Sequence, residues 1–180
     1  LSDRNNVSPD DSASQMYNDV FGDEVCLKSH MEACSYGKLK IEPFIGRTPS
    51  NYRVENGIVE VTMTDYDVNS NGDRQTAAFK ATQKLIGDLG HSMFDLVMFC
   101  YPRGKTAYAY VNSKFSFYSN NIKAVSLQMH EVGHNLGLAH SGQEGYEYGD
   151  RTGVMGYGRY LDDERFCYNP QKNYQLGWYM

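Results

Sequence analysis

The 180-residue sequence predicts an α+β fold: a twisted mixed β-sheet backed by helices, with one long helix late in the chain. Two periodicities interleave to give that reading. In some segments apolar residues alternate, as in half-buried strands, and in others they recur every three or four residues, as in amphipathic helices. The length is that of one domain and is enough for a real core, and no internal repeat, low-complexity tract or linker divides it. A single domain over 1-180 is expected, with a sheet-and-helix part to about 137 and a C-terminal part from about 138.

The elements follow in order. Nothing from Leu1 to Asp11 looks like a strand. The acidic, amphipathic stretch from Ser12 to Ala33 reads as one helix, or two broken near Gly22. Lys38 to Phe44 and Gly57 to Thr64 read as strands, the second placing Ile58, Val59, Val61 and Met63 in a partly buried pattern. Gln75 to Leu89 is a helix with Phe79, Thr82, Ile86 and Leu89 on one stripe. Phe94 to Tyr101 is a continuous apolar run suited to a buried strand, and Thr106 to Val111 and Lys114 to Tyr118 alternate as shorter strands. Ile122, Val125, Met129, Val132 and Leu136 then mark the apolar stripe of the late helix, with Asn120 and Asn121 as candidate N-caps.

That helix carries His130-Glu131-Val132-Gly133-His134-Asn135-Leu136-Gly137-Leu138-Ala139-His140. Residues four apart share a helix face, so His130 and His134 can address one metal while Glu131 projects beside them. Gly137 tolerates the left-handed turn that ends a helix, which lets His140 return as a third ligand from outside it. Three neutral imidazoles leave a fourth position open to water, the mark of catalytic rather than structural zinc. Glu131 therefore reads as a general base, not a ligand, and zinc-dependent peptide hydrolysis is the leading reading.

The segments around this motif carry a resemblance. Gly153-Val154-Met155-Gly156-Tyr157 places a methionine in a tight turn after the third histidine, as in the metzincin metalloproteases. Tyr148 to Tyr157, Cys167-Tyr168-Asn169, Lys172 to Tyr179 and Cys34-Ser35-Tyr36-Gly37-Lys38-Leu39 together resemble the gametolysin family of secreted metzincins. The resemblance covers most of the chain from about Cys34. It implies a C-terminal subdomain whose Met-turn residue, Met155, lies as an apolar floor beneath the histidines. It also implies that Tyr157 can ligate zinc at rest or stabilise an oxyanion. The implied substrate is a polypeptide bound in extended form along an edge strand, for which Thr106 to Tyr118 is the candidate. Extracellular-matrix or cell-wall proteins are the implied targets.

Composition sets further bounds. With 17 basic and 22 acidic residues the net charge is −5, which argues against nucleic acid or an anionic membrane as the main partner. No apolar run approaches a membrane span. A monomer is expected. Cys26, Cys34, Cys100 and Cys167 form no CxxC pair, and the expectation is two disulfides in an oxidising, extracellular compartment. If Met16 to Ala33 is helical, Cys26 and Cys34 lie about 12 Å apart along its axis, too far to bond, so each would pair with Cys100 or Cys167. The chain opens on Leu1, and the expectation is of a processed segment from which a signal and an inhibitory prosegment have been removed.

A second metal is suggested by Asp67, Asn69, Asn71 and Asp73, oxygen side chains at alternate positions with Gly72 among them, like the first half of a calcium loop. The twelfth position is Ala78 rather than Glu, and an Asp/Asn-rich helix cap explains the same residues. His30 and His91 read as structural or solvent-facing. Two alternatives to peptidase activity stand beside the main reading: a zinc-holding recognition or adhesion module without proteolysis, and a zinc amidase or deacetylase. The presence of Glu131 speaks against the first.

Overall fold

A computed structural model of the chain describes the backbone of residues 2–3 and, in full, residues 7–64, 66–67, 70–90, 93–102, 107–119, 122–157 and 166–179. The architecture is mixed α and β, but among the described residues the strands form three small sheets and not one broad sheet. In chain order the elements are β1 (Ser2–Asp3), α1 (Ala13–Tyr17), α2 (Leu27–Cys34), β2 (Gly46–Arg47), β3 (Arg53–Val54), β4 (Thr62–Met63), α3 (Asn71–Ile86), β5 (Val97–Cys100), β6 (Tyr108–Ala109), β7 (Phe115–Tyr118), α4 (Val125–Asn135) and α5 (Pro170–Gln175).

The opening helical segment is broken. Ser12 caps α1 by accepting from Gln15 N–H at 3.1 Å, α1 runs on as a wide π-type turn over Asn18–Gly22, and the chain is extended at Asp23 before α2 begins. The polar start contains a strand that alternation did not reveal, since β1 is two residues long and pairs parallel with β4. Lys38 to Phe44 is not a strand. Leu39 and Ile41 pack against the core there, but the ladder forms beyond, where β2 and β3 close a hairpin through Thr48 N–H to Tyr52 O at 2.9 Å. Of the run from Gly57 to Thr64 only β4 pairs. An apolar pattern reports which side chains are buried; a strand also needs a partner backbone within reach.

The three-stranded sheet has the order β5-β7-β6, with β5 parallel and β6 antiparallel to β7. Phe99 and Phe117 stack across it at 5.3 Å, and Phe79 from α3 meets Phe115 edge-on at 4.8 Å, so the α3 stripe covers this sheet. A second core lies on the other side, where α2 and α4 pack. It comprises Leu27, Met31, Val125, Met129, Val132, Leu138, Val154, Met155, Tyr168 and Trp178. Cys34 and Cys167 are joined across it with Cα atoms 5.4 Å apart, while Cys26 and Cys100 remain buried thiols. One disulfide forms where two were expected. Among the described residues no helix is long and apolar enough to cross a membrane.

Candidate metal centre

Helix α4 supplies two of the three histidines. Val125, Met129 and Val132 fill the core from one side of it, as the stripe predicts, and leave His130 and His134 on an adjoining face with ring centroids 4.9 Å apart. The N-cap is Ala124, without a side-chain cap, in place of the predicted Asn120 or Asn121, which lie outside the described residues. At its C-terminus Leu138 N–H donates to Gly133 O and Gly137 N–H to His134 O, both at 2.9 Å, with φ +93° at Gly137. This is a Schellman turn, for which glycine's tolerance of positive φ is needed. The reversal brings the His140 ring to within 4.7 Å of His134 and 5.2 Å of His130.

One ring nitrogen from each histidine lies within 4.8 Å of the other two. Which nitrogen faces inward is decided by what the other one does. His130 Nδ1 donates to Val154 O at 2.6 Å, His134 Nδ1 to Leu138 O at 2.8 Å, and His140 Nδ1 to Glu147 Oε1 at 2.6 Å. A neutral ring that donates from Nδ1 presents the Nε2 lone pair, the form in which imidazole binds metal. His134 Nε2 and His140 Nε2 are 3.1 Å apart, close enough for one ion to sit against both. Burial, opposed in part by the Val154 carbonyl, pushes His130 down to about 4, so it is neutral near pH 7. His134 is lowered for the same first reason.

Glu131 is 3% exposed, and burial pushes its carboxyl up to about 8. Its Oε2 has no hydrogen-bond partner among the described residues. A buried oxygen left unsatisfied costs free energy that a cation or polarised water beside it would offset, and a nearby dication favours the ionised carboxylate. Three imidazole nitrogens that converge in a largely buried cluster fit zinc.

The C-terminal part packs against α4 at Gly133. Met155 is 1% exposed and packs so closely under α4 that a Cβ on Gly133 would collide with its Sδ and with the Tyr168 ring at 2.9 Å. Tyr168 OH donates to Met129 O at 2.7 Å, Ser141 N–H to Met155 O at 2.7 Å, and Val154 N–H to Cys167 O at 3.1 Å. The disulfide therefore reaches the centre in two steps: the Cys167 carbonyl holds Val154, whose carbonyl orients His130.

Tyr157 is 58% exposed, its ring under the Arg151 guanidinium at 5.4 Å. It lines an opening of about 540 Å³ together with Tyr146, Glu147, Tyr148 and Arg151. The aromatic ring against the histidines is Tyr148, 4.1 Å from His140 between centroids. Neither Glu147 nor Tyr148 was legible in the motif, because only the fold of the 141–149 loop carries them back to His140. A larger cavity of about 720 Å³, lined by Val20, Ile41, Val59, Ile86 and Leu96 among others, is apolar and includes none of the three histidines.

The calcium reading meets a helix. Asn71 is the first residue of α3, Ser70 caps it by accepting from Asp73 N–H at 3.2 Å, and Asn71 Oδ1 accepts from Arg74 at 3.1 Å. A twelve-residue calcium loop needs these positions to be non-helical. Asn69 lies outside the described residues. His30 is a buried residue of α2, as a structural histidine should be, and His91 lies outside the described residues.

The sequence matches the model of the gametolysin peptidase M11 family over residues 7–180. It is also 40% identical over 59 residues to autolysin of Chlamydomonas reinhardtii, a stretch that takes in 33% of this chain and only 9% of that protein. With the family match running through the histidine motif, the turn beneath it and nearly all of the remaining sequence, the chain belongs to the gametolysin peptidase M11 family.

Proposed function

We propose that the chain is a zinc endopeptidase of metzincin type, acting outside the cell on matrix or cell-wall proteins. The observation that carries this reading is the set of three histidines whose Nδ1 atoms are each held by an oxygen, leaving their Nε2 atoms free to face one ion. His130, His134 and His140 would hold the ion. Once bound, zinc supplies a Lewis acid for the scissile carbonyl and acidifies a water to a pKa of about 7.

The remaining work falls to the side chains. Glu131 takes a proton from the attacking water and delivers it to the departing amine nitrogen, so that neither hydroxide nor an amide anion is released. Its burial keeps competing bulk water away and would strengthen its interaction with a bound ion. Met155 serves as the Met-turn residue and keeps the ligands on an apolar base. Tyr157, at the mouth of the opening, donates its phenolic proton to the carbonyl oxygen as charge builds there. A peptide lying extended beside the site would find backbone groups at the outer edge of the three-stranded sheet, at β6, where Tyr108 and Ala109 stand. The Cys34–Cys167 bond agrees with an oxidising compartment.

The test is Glu131→Gln, assayed for cleavage of a peptide library and for bound zinc. Loss of a general acid-base should lower the rate by about 10²–10⁴-fold while zinc stays bound at one ion per chain. Undiminished cleavage would overturn the mechanism. A wild-type protein that binds zinc but cleaves no peptide would favour a recognition module, and faster turnover of a small acylated substrate would favour an amidase.

A further inference from the structure

The three histidines are held in two different ways. His130 and His134 donate to the backbone carbonyls of Val154 and Leu138, which no side-chain replacement removes. His140 donates to a side chain, Glu147 Oε1, at 2.6 Å, and a second side chain, Tyr148, lies against the same ring at 4.1 Å. His140 has left the helix that fixes the other two. Its orientation therefore depends on contacts made by the following loop, in which Gln143 and Tyr146 exchange hydrogen bonds at 3.0 and 2.9 Å and Glu144 and Gly145 take φ of 52° and 83°. That tight reversal sends the chain back so that Glu147 and Tyr148 arrive at the imidazole.

We infer that Glu147 and Tyr148 are positioning residues for the metal centre, a carboxylate and a ring that together fix the tautomer and plane of His140. This rests on the zinc reading above. The carboxylate holds the proton on Nδ1, which keeps Nε2 as the donor atom and raises the basicity of the ring. The Tyr148 face limits rotation about the side-chain bonds of His140. Replacing a carboxylate that supports a metal-bound histidine typically lowers metal affinity by about 10–100-fold. Glu147 is 69% exposed at its side chain and lines the 540 Å³ opening, so the support of the third ligand forms part of the wall past which a substrate must move.

The experiment measures zinc affinity by competition with a chromogenic chelator, and the d–d spectrum of the cobalt-substituted protein, for the wild type and four variants. Glu147→Ala should bind zinc about 10–100-fold more weakly and shift the cobalt spectrum. Glu147→Gln, whose carbonyl still accepts from Nδ1, should recover part of the loss. Tyr148→Ala should weaken binding, and Glu144→Ala, in the same loop but without a histidine contact, should leave it unchanged. Wild-type affinity in Glu147→Ala would overturn the proposal. So would an equal loss in Glu144→Ala, which would mean general loop damage, or a Gln variant no better than Ala. If Glu147→Ala fails to fold, the comparison of Glu147→Gln and Tyr148→Ala with Glu144→Ala decides. A wild-type protein that binds no zinc would instead refute the metal reading itself.

Discussion

Adding one methyl group at Gly133 tests the packing beneath the histidines. A Cβ there would strike Met155 Sδ and come within 2.9 Å of Cε1 and 3.2 Å of the hydroxyl oxygen of Tyr168, both residues being almost completely buried. Overpacking of this kind costs about 1–3 kcal/mol, against which alanine's better helix propensity returns up to about 1 kcal/mol. Gly133→Ala should therefore be destabilised by up to about 3 kcal/mol net, whereas the same change in an open helix would stabilise. Met155→Ala should cost about 2–5 kcal/mol through the cavity it leaves. The two changes act on one small volume, so the double variant should be at least about 1 kcal/mol more stable than the sum of the single effects predicts. Urea denaturation of the metal-free proteins gives all four corners of the cycle without the added stabilisation of ligand binding. Additivity to within about 0.5 kcal/mol, or a Gly133→Ala protein more stable than wild type, would show that Met155 does not lie under the helix as described.

The Cys34–Cys167 bond spans 133 residues, and its loss should cost about 3–5 kcal/mol, read as a lower urea midpoint for Cys34→Ala. Because Cys167 O holds Val154, whose carbonyl orients His130, zinc affinity should fall in the same variant; unchanged affinity would break that link. In the native protein Cys26 and Cys100 should resist a thiol reagent and both react after unfolding. The metal-free protein should also show opposed pH dependences. Burial lowers His130 from 6.5 to about 4, so the unfolded chain takes up more protons between those values, and this contribution to stability is lost as pH falls through that window. Glu131 is raised from 4.5 to about 8, so its contribution is present at low pH and lost as pH rises to 8. Metal-free Glu131→Gln should accordingly gain stability over wild type at pH 8 relative to pH 4, measured by thermal unfolding, and no difference between the two pH values would refute the burial argument.

The histidine motif was legible because its information is local. Two histidines one helical turn apart, a glycine that reverses the chain and a third histidine three residues later are fixed by helix geometry and by glycine's access to positive φ, whatever surrounds them. The stripe of Val125, Met129 and Val132 was readable for the same reason, as was the helix of which Phe79 and Ile86 form part. Strand pairing was read less well. Leu39 and Ile41 are buried without joining a ladder, and the two-residue β1 found a partner in β4 that no alternation announced. Pairing is a relation between distant backbones, and a pattern along one segment does not contain it. The cysteines show the same division: their number suggested disulfides, but only the packing of α2 against the segment before α5 chose Cys34 and Cys167 and left Cys26 and Cys100 as thiols. By itself the sequence singled out the three histidines that the fold brings together and the family resemblance. The tertiary structure decided what holds each histidine, two by backbone carbonyls and one by Glu147, because these partners lie 4 to 24 residues away and meet their imidazoles only through the fold.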